Sequence, residues 1–440
     1  MPEDAPESPR RVGRWVAGCG LALLLVCGGS GAFVSMRLSA RVDEGVRAAE
    51  RVRREIARHG ARRWQRPVLR GEPIPGNAAD AARMALAEIA RLPNRSELGE
   101  LLDGALEANA EGRPSPEGLA PLLQRTEGAR GALRRATRLT WAARPMAQHE
   151  DLGRTDPGDS PSAALLATKL LLAGAMDASP SECMATAADV VRLGQDLSAG
   201  ANLLPRMMLD AHARRAAPVL LRCAARATPE ELAVARAEVE RLAAHSPPAS
   251  WTFEIEALGM ARVLVSTLPE SPWPSDAQRV EALSMLETSL SAIDHQLGAA
   301  SRWRAREREG PTGVVRGTED EDRRADASDN ALVSIVGIPY RSYGRRTARV
   351  EAILRGLVVS LDAIEHAKRA AGPLPAQPTR LADPRLRDPL GDGPLRWVLE
   401  PGGRRATLSW THTAPTTPSR ADAGTRARDD AEDALTVSLP

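Results

Sequence analysis

From Trp15 to Met36 the chain runs 22 residues without a charge, with Arg10, Arg11 and Arg14 before it and Arg37 and Arg41 after it. As a helix rising 1.5 Å per residue, this stretch spans about 33 Å, enough for a hydrocarbon core of roughly 30 Å. A cleaved signal peptide would be shorter and end in an A-x-A-like site, and a buried core helix is rarely this long and apolar. The pattern therefore predicts a transmembrane helix over 15–36 that anchors the chain in a lipid bilayer, after a tail at 1–14. The positive-inside rule is nearly silent, because Arg37, Arg41, Arg47 and Arg51 balance the three arginines before the span. Long domains translocate largely regardless of charge, so the expectation is a cytoplasmic N-terminus and a periplasmic bulk.

Past the span, Val42, Val46, Ala49, Val52 and Ile56 recur at spacings of three and four, one apolar stripe on a charged rod. This predicts a juxtamembrane helix over 37–64. A loop with Pro67, Pro73 and Pro75 follows, and helical periodicity resumes at Asn77. Ser179-Pro180-Ser181-Glu182 and Thr228-Pro229-Glu230-Glu231 read as capping boxes with proline at the first helical position, and Ser275-Asp276-Ala277-Gln278 as a third box. Residues 77–300 thus read as an irregular helical-hairpin array of the tetratricopeptide-like kind.

The charge-dense 301–329 stretch reads as a flexible loop. Within 330–412, Val350, Ile353, Leu354, Leu357, Leu361 and Ile364 form a helix stripe that Gly372-Pro373 ends. Two short apolar runs then flank Pro401-Gly402-Gly403 and predict a small C-terminal β-hairpin. The polar stretch 413–440 reads as a disordered tail. The fold class expected is mainly α.

Composition narrows the function classes. Basic and acidic residues number 59 and 57, so no global field draws nucleic acid. Aromatics make up 3%, too few for base-stacking platforms. All the basic residues except Lys169 and Lys368 are arginine, which fits the codon bias of a GC-rich genome.

The run Arg387-Asp388-Pro389-Leu390-Gly391-Asp392-Gly393-Pro394-Leu395-Arg396-Trp397 resembles the C-terminal module of a broad group of uncharacterised, single-pass membrane-anchored bacterial envelope proteins. Asn330 to Tyr340 and the Asn77-Ala78-Ala79-Asp80 turn fit the same group. The module motif is carried by Asp388, Pro389, Gly391, Pro394 and Trp397. The stretch around Asp388 is also similar to one in major pseudopilins of type II secretion, although the chain lacks a prepilin cleavage motif. The resemblance implies an anchor, a helical middle and a terminal hairpin, and no known activity.

Candidate chemistry is sparse. The seven histidines show no metal-ligand spacing, and His149-Glu150-Asp151 is the densest acid and histidine cluster. No phosphate-binding glycine loop and no nucleophile elbow is present outside the anchor. Asp383, Asp388 and Asp392 are too few for a calcium cage, and no cofactor is expected. Gly28 and Gly31 form a small-residue patch in the anchor that suits helix self-association. Cys183 and Cys223 are the only cysteines outside the anchor; they read either as a disulfide between neighbouring helices or as two buried thiols. Taken together, the expectation is an extracytoplasmic helical scaffold with a protein partner in the envelope. The alternatives are a hydrolase-like envelope enzyme or an accessory part of a secretion or pilus system.

Overall fold

The structure, a computed structural model, describes residues 9–143, 157–268, 275, 278–336, 340–391, 393–410 and 434–439, without the side chains of 9–27, 311, 334–336 and 340–342. It is mainly helical with a small C-terminal antiparallel sheet. In chain order come α1 (Pro9–Gly60), β1 (Trp64–Gln65), β2 (Ile74–Asn77), α2 (Ala78–Ala90), α3 (Arg95–Ala110), α4 (Leu119–Arg125), α5 (Glu127–Ala136) and β3 (Leu139–Ala142). Then follow α6 (Pro161–Ala173), α7 (Pro180–Ser198), α8 (Leu203–Arg226), α9 (Pro229–Ala244), α10 (Ala249–Ser266), α11 (Arg279–Arg306), α12 (Gly310–Asp326), α13 (Ala331–Val336) and α14 (Tyr340–Arg369). The strands β4 (Arg396–Leu399), β5 (Arg405–Ser409) and β6 (Ala434–Ser438) end the fold.

The chain divides into two compact units. One comprises Met1–Glu55, Leu258–Gly298 and Ser328–Val336. Its apolar cluster is small: Leu38, Leu283 and Leu286, with Val42 and Leu268 against them. Ion pairs at its surface join Arg37 to Glu287 at 2.7 Å and Arg51 to Asp294 at 3.2 Å. Asn330 caps α13 by accepting from the Leu332 N–H, and its amide donates to the Thr288 carbonyl.

The other unit comprises Ile56–Ala257, Ala299–Ala327 and Gly337–Pro440 and holds the main core. There α8 lies against α7 and α14, and α14 also packs on α9. The contact faces are rich in alanine (Ala187, Ala213, Ala216, Ala217, Ala224), which lets helices approach closely. At Gly194 the approach is so tight that a Cβ would sit 2.8 Å from the His212 ring and 2.9 Å from Leu209. The predicted caps are in place: Ser179 accepts from the Glu182 N–H, and Thr228 and Glu231 form a reciprocal box.

The segments expected over 15–36 and 37–64 run on as one continuous helix of 52 residues that ends at Gly60, in line with the apolar stripe past Met36 and the His59-Gly60 pair; several other expectations are corrected. The side chains of 15–27 lie outside the described residues, and among those described no helix is long and apolar enough to cross a membrane. The stretch 301–329 is not a loop: α11 continues to Arg306 and α12 follows after one 3-10 turn. Its charges are complementary at close range, Arg302 to Glu321 at 2.7 Å and Arg306 to Asp320 at 2.9 Å, while Val314 packs with Trp303 in a buried cluster.

The 77–300 region is not purely helical. β3 lies between antiparallel β1 and parallel β2, a sheet too short to show a strand period. The 330–412 region is not a separate module, since α14 joins the main core. A solenoid repeat touches only its neighbours, whereas α14 reaches back to α8 and α9. The tail is ordered at its end: β6 pairs antiparallel with β5, so the expected hairpin is a three-stranded sheet in the order β4-β5-β6. Leu435 and Val437 are buried and Thr436 is exposed, the alternation that fixes a strand on a core. The sheet docks on α14 at Gly356, where a Cβ would lie 2.7 Å from Leu408 and 3.0 Å from Leu435.

Candidate binding groove

Helix α8 carries a proline in its interior, Pro218. Proline has no N–H, so the Arg214 carbonyl one turn back loses its helical donor. Arg214, Pro218 and Arg222 fall four residues apart and share one face, with Arg215 beside them. Between this face and β6 runs a groove of about 830 Å³, which Ile353 and Trp410 also line. No carboxylate is among its described lining residues.

The three guanidiniums differ. Arg214 contacts the buried Asp210 at 3.3 Å, and Arg349 approaches the same carboxylate at 3.6 Å. Arg222 has a buried Nε without a hydrogen-bond partner. Burial pushes its guanidinium below the ordinary arginine value, and no acid among the described residues counters that. Arg215 enters no ion pair among the described residues; its charge adds to burial in pushing His212 down to about 4. His212 is thus a neutral imidazole behind the groove, hydrogen-bonded to Thr168 Oγ1. Trp410 is 5% exposed, and its Nε1–H has no acceptor among the described residues. The groove therefore offers donors and positive charge in excess of acceptors.

Cys183 and Cys223 join α7 to α8, with sulfurs 1.96 Å apart and Cα atoms 6.1 Å apart, and Cys223 directly follows Arg222. The Asp388 motif forms a turn away from the groove. Asp388 is buried, its Oδ1 accepts from the Leu390 N–H at 2.9 Å, and its own N–H donates to the Gly393 carbonyl at 3.0 Å. Trp397 Nε1 donates to the Pro375 carbonyl at 3.1 Å. Gly391 and Pro394 lie in the same turn, which is half-buried at Gly391 and exposed at Pro394, and Pro389 offers its carbonyl to Thr312 Oγ1. Asp392, His412 and the His149 cluster lie outside the described residues. A Cβ at Gly28 or Gly31 would meet nothing within 4 Å. Among the described residues no three metal-capable side chains converge.

Elsewhere, several buried acids face arginine. Asp196 meets Arg66 and Asp189 meets Arg70. Glu254 meets Arg62 and Arg304, and Glu238 meets Arg70. These pairs hold elements together. The groove arginines escaped the sequence reading, although a signal existed: from Ala211 to Pro229 there are four arginines and no acid. Comparison with protein-family models, with characterised proteins and with solved structures found no match.

Proposed function

We propose that this chain is a membrane-anchored, extracytoplasmic helical binding protein of the bacterial envelope, and that the groove between α8 and β6 receives an anionic partner. The observation that carries the reading is the pair Arg215 and Arg222, held in a groove where, among the described residues, no acid lines the wall and neither guanidinium has an ion-pair partner. Two supports are independent of it. The charge-free run Trp15–Met36 has the length of a bilayer span. The Cys183–Cys223 bond belongs to oxidising compartments outside the cytoplasm. The helical middle, a hairpin array in its chain order, supplies the scaffold.

The test is crosslinking in native membranes with the wild-type chain and with the Arg215→Glu, Arg222→Glu double variant. A stoichiometric adduct that the double variant loses is the expected result. An adduct of equal yield in both would overturn the groove assignment. Placement is checked separately by a C-terminal alkaline phosphatase fusion, expected to be active; an inactive fusion would overturn the extracytoplasmic bulk.

A further inference from the structure

The groove borders a sheet edge, and the register of that edge can be worked out. β6 is the outer strand, paired on one side with β5 through Arg405↔Ser438, Ala406↔Val437 and Thr407↔Thr436. In an antiparallel ladder, pairs that exchange hydrogen bonds alternate with pairs that do not. The Leu439 N–H donates to the Arg404 carbonyl at 2.8 Å, and the Glu400 N–H donates to the Arg405 carbonyl at 2.9 Å. The first bond turns the backbone groups of Leu439, Val437 and Leu435 toward β5. The second turns Arg405 toward β4, which agrees. The N–H and C=O groups of Ala434, Thr436 and Ser438 therefore point outward. Those three residues, with Leu435, are the ones β6 contributes to the groove. Among the described residues the backbone of 434–438 makes no hydrogen bond beyond its ladder with β5.

An open strand edge is a template for another strand. Here it runs beside guanidiniums. β6 turns Leu435 and Val437 inward and packs on α8 and α14, so a strand added at its edge would turn alternate side chains toward α8. Arg215 and Arg222 lie on that side, and Trp410 holds an unaccepted N–H there. Building on the anionic-partner reading above, the geometry points to an extended acidic peptide segment of a partner protein, which adds to β6 as a fourth strand. Its backbone pairs with Ala434, Thr436 and Ser438, and every second side chain is a carboxylate facing Arg215 and Arg222. A simple polyanion would use the guanidiniums and leave the strand edge unpaired.

The experiment uses the full chain in detergent and a synthetic eight-residue peptide alternating glutamate and threonine, with binding followed by fluorescence anisotropy. Two further peptides carry N-methyl groups on one or the other alternate set of amides. Dextran sulfate is the polyanion control. Strand addition requires that one methylated set weakens binding at least tenfold and the other leaves it within twofold, since only one set of N–H groups faces β6. It also requires loss of binding in the Arg215→Gln, Arg222→Gln variant, with the melting temperature unchanged. Equal binding of both methylated peptides, competed by dextran sulfate and lost in the variant, overturns strand addition and leaves the anionic groove standing. No binding of any peptide or of dextran sulfate overturns both readings.

Discussion

Arg66 and Arg70 meet Asp189, Asp196 and Glu238 on and around α7, whereas Arg215 and Arg222 on α8 meet no acid among the described residues. In the first cluster Arg66 is fully buried. It hydrogen-bonds Asp196 Oδ2 at 2.8 Å and donates to the Thr137 carbonyl at 3.0 Å. Arg192, also fully buried, stacks near Trp64 at 5.5 Å, and burial pushes it down to about 10. A buried charge without a partner costs several kcal/mol, so arginine this deep persists where acids accompany it. In the second cluster the arginines are half-exposed, and no acid among the described residues accompanies them. The contrast teaches where charge is structural and where it is available: matched pairs fasten β1 and the following loop to α7, and unmatched guanidiniums await something from outside.

The largest effect should come from unmatching the first cluster. Asp196→Ala strands the Arg66 guanidinium and should cost about 3–5 kcal/mol in urea unfolding. Arg66→Met with Asp196→Leu should recover most of that, though not all, because the Thr137 carbonyl loses its donor as well. A loss below about 1 kcal/mol for Asp196→Ala would show that the pair is not sealed from water.

Next comes the bond that ties the two helices carrying these clusters. Cys183 and Cys223 close a loop of 40 residues, for which chain entropy gives about 4 kcal/mol at most. The Cys183→Ala, Cys223→Ala variant should unfold at lower urea by about 2–4 kcal/mol and keep the groove's peptide affinity. If affinity falls while the chain stays folded, the disulfide positions Arg222 as well as stabilising the core.

His212 separates the clusters by pH. Its pKa falls from the usual 6.5 to about 4 in the folded chain, first by burial and then by Arg215. Between those values the unfolded chain binds the proton and the folded chain does not, so this group's contribution is present at pH 7 and lost as pH falls toward 4. The loss amounts to about 3 kcal/mol. Asp189 and Asp196, which burial pushes up to about 6 against Arg70 and Arg66, act in the opposite sense over 3.8 to 6. The measurement is therefore a difference: unfolding free energy of wild type minus His212→Leu, at pH 7 and pH 4. Equal differences at both pH values would mean that His212 is not buried neutral.

How much of this was legible depends on the range of the interaction. The α14 stripe from Val350 to Ile364 is buried as its spacing requires, and the caps at Ser179 and Thr228 sit where their residue types place them. Each is a local pattern. The charge-dense run after Ser301 was misread because its helices are held by pairs across a hairpin, Arg302 to Glu321 and Arg306 to Asp320, which composition alone reads as solvation. β6 was missed because five residues at the end of a polar stretch carry only two buried positions, Leu435 and Val437. The groove inherited that miss. An arginine face on α8 becomes a site when a strand from the far end of the chain lies beside it, and no spacing within α8 encodes that.

The smallest effect is the most telling. Arg222→Met removes a charge whose Nε is buried and, among the described residues, has no partner and no acid to offset its burial. Methionine keeps the length of the apolar stem and drops the desolvated head. Stability should then change by no more than about 0.5 kcal/mol, in either direction, as at sites free of buried pairs. The matched cluster loses several times that when unmatched, so the two substitutions measure the same quantity under opposite conditions. A near-zero effect on unfolding, with peptide binding reduced at least tenfold, would mean that Arg222 is kept for a ligand rather than for the fold. A loss above about 2 kcal/mol would mean that the groove arginine has an internal counterpart, and the distinction between the two clusters would fail.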